Sequence, residues 1–207
     1  MATKPPVADH ATILNSYHKN MRSKITGWVV LALVISASLQ AAAGADGADT
    51  AAASASKSAG PFRNGDALNA LDSPQVANHA LQVSAVIEPK GLNGVILAQG
   101  AGSNGYALYL KDGKPAFAVR SQGALTTVIA TEPLGQGAFK VEAKLGTDGG
   151  ISIVVDGKQV ATGHALGLIA AQPARGLTVG LNYKSVGDYT APNPFAGKIE
   201  KATVQIW

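Results

Sequence analysis

The chain has 207 residues, 46% hydrophobic and only 14% charged, with 24 glycines, 10 prolines and no cysteine. That balance suits one turn-rich domain with extensions, and it excludes a disulfide framework, a thiol nucleophile and a Cys-ligated zinc. The formal net charge is +4, but Lys4, Lys19, Arg22 and Lys24 stand early in the chain against the single acid Asp9, leaving thirteen cations against twelve acids downstream. A nearly neutral body offers no electrostatic footprint for nucleic acid.

Residues 1–20 are polar and fit no part of an export signal, so they read as a start-site extension with Met21 as the true start. Arg22 and Lys24 then precede the apolar run WVVLALVISASL at 28–39. That run is shorter than the roughly 20 residues needed to span a bilayer. Small residues follow at Ala41, Ala42 and Ala43, and again at Ala43, Gly44 and Ala45. A charged start, a short apolar stretch and small residues of this kind predict a signal peptide over 21–45. Cleavage after Ala43 or Ala45 would leave no stable membrane span and would export the protein to the periplasm or beyond the cell.

Residues 46–71 are rich in Ala, Ser and Gly and too poor in large apolar groups to offset their ordering entropy. They are expected to form a flexible linker, with a short helical turn near 67–71. From His79 onward the apolar period becomes two. Leu81, Val83, Ala85 and Ile87 alternate with polar neighbours, and so do Phe139, Val141, Ala143 and Leu145. Ile151, Ile153 and Val155 follow, then Leu177, Val179 and Leu181, then Ala202, Val204 and Ile206. Alternation of this kind puts one face of a strand in a core and the other in water. Asp112-Gly113 and Asp156-Gly157 separate apolar runs and predict two-residue type I′ hairpins; Asp148-Gly149-Gly150 marks a third turn. About nine to eleven short strands are expected over 72–207. The predicted fold is all-β: a two-sheet antiparallel jelly-roll sandwich, with Ala98, Ala107, Ala116 and Ala118 suited to close sheet packing.

Four segments carry a resemblance. GVILAQG (94–100) followed by GYALYLKDG (105–113), ISIVVDGK (151–158) and PFAGKIEK (194–201) resemble, in that order, the hairpins of laminin-G-like and concanavalin A-like lectin domains. The segment DYTAPNPFAGKIEK (188–201) is most similar to the small C-terminal β-domain of bacterial arylsulfatase-type sulfatases. The resemblance implies an exported, non-catalytic module. The sulfatase active site lies in a separate large domain, and its Cys- or Ser-x-Pro-x-Arg motif has no counterpart here.

Chemistry-bearing residues are few. A glycoside hydrolase on this fold needs two carboxylates facing one groove, as in E-x-D-x-x-E. None of Glu88, Glu132, Glu142 and Glu200 has an acid two positions on. His79 and His164 stand alone, His10 and His18 lie in the extension, and no G-x-S-x-G elbow accompanies them. No enzyme activity is therefore expected. Calcium at a sandwich rim is implied by the family resemblance, with Asp148, Asp156 and Asp188 as candidate ligands; Asp148 and Asp156 also suit turns, which leaves Asp188. Sugar binding needs aromatic faces beside amides and carboxylates. Asn182, Tyr183, Asp188, Tyr189 and Asn193 form the richest such cluster. Tyr106 and Tyr109 lie three apart on one strand, so one is expected in the core and the other exposed. The candidate ligand-contacting residues are Asn104, Arg120, Asn182, Tyr183, Asp188 and Tyr189. Two functions follow from the residues: recognition of a glycan or cell-surface partner, or a structural and assembly role, alone or beside a sulfatase. The oligomeric state is not encoded in any motif.

Overall fold

The computed structural model describes residues 56–207. The expected extension (1–20), signal peptide (21–45) and first part of the linker (46–55) lie outside them. The described chain forms eleven strands: β1 (Lys57–Phe62), β2 (Leu81–Pro89), β3 (Gly94–Gly100), β4 (Gly105–Lys111), β5 (Lys114–Ser121), β6 (Ala124–Ile129), β7 (Phe139–Leu145), β8 (Gly150–Val155), β9 (Lys158–His164), β10 (Leu177–Val179) and β11 (Gly197–Ile206). They build two antiparallel sheets, ordered β1-β11-β2-β7-β8-β9 and β10-β3-β4-β5-β6. This is the predicted jelly-roll sandwich. No helix of the described residues is long and apolar enough to cross a membrane.

The period-two segments explain the layers. From the six-stranded sheet Leu81, Val83, Ala85, Ile87, Val141, Ala143 and Leu145 point inward and are buried. Tyr106, Leu108, Leu110, Phe117 and Val119 meet them from the five-stranded sheet. Tyr106 is buried with its polar tip satisfied: its hydroxyl donates to Gln99 Oε1 at 3.0 Å, and Gln99 Nε2 donates to the Pro74 carbonyl at 3.0 Å. The turns follow from backbone conformation. Asp112 and Gly113 have φ of 52° and 76°, and Asp156 and Gly157 of 48° and 82°, as type I′ hairpins require. Gln122 and Gly123, at 51° and 86°, form a further hairpin turn of the same kind that carries no Asp-Gly signal.

Three expectations need correction. The linker expected over 46–71 does not run through 57–71. Residues of β1 pair with β11, and Phe62 packs on the core. The chain then turns to the other sheet, where Leu68 N donates to the Leu177 carbonyl at 2.9 Å and Ala67 bridges Thr178. This segment laces the edges of both sheets, because the outer backbone groups of β11 and β10 need partners. It has no alternating pattern, so hydropathy does not reveal it.

The second correction concerns the small residues. Ala98, Ala107, Ala116 and Ala118 are not in the layer between the sheets. They line the outer face of the five-stranded sheet, in a separate buried cluster with Val95, Tyr109 and Val186. The third follows from it: Tyr106 and Tyr109 do face opposite ways, yet neither is exposed. A loop covers Tyr109.

Candidate functional site

The covering loop, 182–193, runs between β10 and β11 and lies across β3, β4 and β5. Four alanines make a shallow trough in that sheet face, and Val186 and Tyr189 fill it. The ring of Tyr189 meets Tyr109 at a centroid distance of 4.9 Å and a tilt of 58°, within the range favoured by aromatic pairs. Gly187 lets the backbone come this close: a Cβ there would lie 3.0 Å from Tyr189 Cε1 and 3.1 Å from Ala118 Cβ and Tyr109 Cε1.

Polar braces hold the loop down. Arg120 donates from Nε to the Val186 carbonyl at 2.9 Å and from Nη1 to the Gly123 carbonyl at 2.8 Å. Asn182 is buried, donates from Nδ2 to the Tyr189 hydroxyl at 3.2 Å, and accepts from Lys184 N at 3.1 Å. Ser185 Oγ donates to the Tyr189 carbonyl at 2.6 Å. At the other end, the Asp188 carboxylate accepts from the Tyr109 hydroxyl on one oxygen and the Lys111 ammonium on the other. Partial burial pushes the Asp188 carboxyl up, but the hydrogen bonds from Lys111 and Tyr109 outweigh it and hold it below its ordinary range. Lys111 is raised by the same bond. Burial first, then Asp188, drives the Tyr109 phenol far above its ordinary value. Tyr189 is raised by burial.

Beside Asp188 the loop leaves a cleft of about 280 Å³, with Asn93, Lys111, Asp112, Tyr189, Thr190 and Asn193 among its walls. Asn93 shapes it, accepting from Asp112 N at 2.9 Å. The structure thus sorts the sequence candidates. Asp188 and Tyr189 border the cleft; Arg120 and Asn182 brace the loop from behind. Asn104 serves a turn, accepting from Gln122 N at 2.9 Å. Tyr183, 66% exposed, stands free on the loop surface. Asn93, Thr190 and Asn193 come from two separate connections. Only their convergence marks them, although Asn193 lay within the polar cluster noted in the sequence.

The donor set does not fit calcium, which takes six to eight oxygens. Both Asp188 oxygens accept from protein donors, one of them an ammonium. Asp148 Oδ1 accepts from Gly150 N at 2.9 Å, and Asp156 Oδ1 from Lys140 N at 2.8 Å, at separate turns. Among the described residues no three His, Asp or Glu side chains converge.

The two packed antiparallel sheets define an all-β jelly-roll sandwich. No protein-family model matches the sequence, and no curated protein does. Solved structures share the fold. The CBM40 of the Ruminococcus gnavus IT-sialidase, bound to α2,3 sialyllactose, aligns with a TM-score of 0.52 at 16% identity, over 74% of this chain and 90% of that one. The same CBM40 in a second structure gives 0.54 at 17% identity, over 73% and 91%. Domains LG4-5 of the mouse laminin alpha1 chain give 0.55 at 16% identity, over 69% of this chain and 40% of that one. The resembling sequence motifs have structural causes too. In the closing segment Phe195 and Ile199 are buried, and a Cβ on Gly197 would stand 2.2 Å from the Glu88 carbonyl oxygen.

Proposed function

We propose that the chain is an exported, non-catalytic sugar-binding module whose contact surface is the rim cleft between loop 182–193 and the β4–β5 hairpin. The observation that carries this is the cleft itself: a concave site of about 280 Å³ whose wall Asn93, Asp112, Thr190 and Asn193 share with Tyr189. Amides, a hydroxyl and a carboxylate take sugar hydroxyls, while an aromatic wall takes C–H faces. Asp188 and Tyr189 form its base, Arg120 and Asn182 act as positioning residues behind it, and Tyr183 is a second aromatic face on the same loop, while Asn104 serves the turn at the far end of β4. The sialyllactose held by the R. gnavus CBM40 supports a glycan as the ligand class for a sandwich of this shape.

The assembly alternative needs a flat apolar outer patch. The outer face of the six-stranded sheet instead presents Gln82, Ser84, Glu142, Ser152 and Gln205 beside Val86 and Val154, and the five-stranded face is covered by its loop. Service to a sulfatase rests on the 188–201 likeness alone. A glycan array probed with the wild-type protein and with Asn193→Ala tests the proposal. Binding that disappears in the variant, with the melting temperature unchanged, supports it. Silence across neutral, carboxylated and sulfated glycans overturns it.

A further inference from the structure

A second cleft lies at the opposite end of β2. It holds about 460 Å³ and is lined by Lys57, Gln75, Asn78, His79, Thr147 and Trp207 above Ile206. The two clefts share no lining residue. Four segments of the chain build this one. Trp207 follows β11 and is tied in by its N–H, which donates to the Ala80 carbonyl at 3.2 Å. Asn78 and His79 stand on a tight turn where Asn78 has a φ of 59°, a left-handed conformation that Asn tolerates better than most residues. Thr147 comes from the β7–β8 turn, and Lys57 from the start of β1.

The charge of this cleft differs from that of the rim. Among the described residues no Asp or Glu lines it, whereas Asp112 and Asp188 line the rim cleft. Lys57 lines it directly. Lys144 stands beside it, with Nζ 5.1 Å from the Trp207 ring centroid. The ion pairs among the described residues engage Lys111, Lys140 and Lys198, not Lys57 or Lys144. Two acids lie near Lys144: Asp148 turns its Oδ1 onto Gly150 N, and Glu142, which shares a neighbouring cleft with Lys144, pairs with Lys140 at 3.0 Å and accepts from Gln82 Nε2 at 3.1 Å. One ammonium group in the wall, a second beside it, two amides, an imidazole and a partly exposed indole therefore surround one concavity with no Asp or Glu side chain in its wall.

We propose that this cleft is a second carbohydrate site and that it takes an anionic sugar, one bearing a carboxylate or a sulfate. The ammonium groups supply compact positive charge for the anion. Gln75, Asn78 and Thr147 bond the hydroxyls, and the indole provides the apolar wall. The proposal extends the sugar-binding reading to another place and another ligand class, and it stands on residues the rim does not use.

The test is calorimetric titration of the full chain with sialyllactose, a sulfated heparin oligosaccharide and neutral lactose, at low and at high salt. An anionic sugar is expected to bind where lactose does not, and more weakly as salt rises. Lys57→Gln and Lys144→Gln should each weaken it about threefold or more, the scale of one exposed charge contact. Trp207→Ala should weaken it about tenfold, the scale of a lost aromatic contact. The two lysine variants keep the question open to refutation should Trp207→Ala fold poorly. Asn193→Ala should leave this binding intact. Carboxylated against sulfated probes separate the two kinds of anion. No anionic binding, equal binding of lactose, or loss in Asn193→Ala with none in Lys57→Gln would overturn the proposal. A rim without sugar would leave these outcomes unchanged.

Discussion

The Tyr109 hydroxyl donates to the Asp188 carboxylate, joining β4 to a loop residue 79 positions further along the chain. The bond closes one end of the loop over the sheet, and Lys111 completes it from the side. The depressed carboxyl of Asp188 has a consequence for stability. A carboxylate with a lowered folded-state pKa contributes stability that is present above the unfolded value, about 3.9, and lost as pH falls through the folded value. Melting temperature followed from pH 7 down to 2.5 should show this loss in the acid limb, and Asp188→Asn should flatten that limb. An identical acid limb in the variant would remove Asp188 from the account.

Loop seating is set by small side chains. Gly187→Ala and Ala118→Leu both force atoms into the contact between the loop and the sheet. Each should destabilise by about 1–3 kcal/mol, the usual scale of overpacking. Denaturant titration measures the cost, and hydrogen exchange should locate the loosening in 182–193 rather than in the core between the sheets.

The Gln99–Tyr106 pair is a buried polar unit in an apolar layer. Tyr106→Phe leaves Gln99 Oε1 without its donor and should cost about 1–3 kcal/mol. Combining it with Gln99→Leu removes both polar partners and should recover part of that loss in a double-mutant cycle. Additive losses would show that the two groups act independently.

Phe62 separates a linker from a strand. It is half-buried and packs on the core from β1. Phe62→Ala should cost about 1–3 kcal/mol, below the range for a fully buried Phe, and should speed amide exchange along the outer edge of β11. Neutral stability with unchanged exchange would return the segment to the linker that its composition suggests.

Strands with one buried face were legible because alternation along the chain maps directly onto the two faces of a sheet. Leu81 to Ile87 and Phe139 to Leu145 show this, as do the Asp-Gly hairpins, where local backbone chemistry is enough. The rim cleft was partly legible. Asp188, Tyr189 and Asn193 stood out as a polar and aromatic cluster. Their roles did not, because Tyr189 packs one side of its ring against Tyr109 as well as lining the cleft, and Asn93 joins from a connection a hundred residues earlier.

Composition and periodicity by themselves determined the fold class, the strand and hairpin positions, and a body without the charge for nucleic acid. These are local properties, written in spacing and in turn residues. Only the tertiary structure decided that Ala98, Ala107, Ala116 and Ala118 floor a covered outer face, that residues 57–68 lace two sheet edges, and that Lys57, His79 and Trp207 share one cleft. Each of these depends on which distant backbone or side chain fills a space the sheets leave open. That choice is made by packing and by the need to pair exposed edge groups, and neither leaves a periodic trace in the chain.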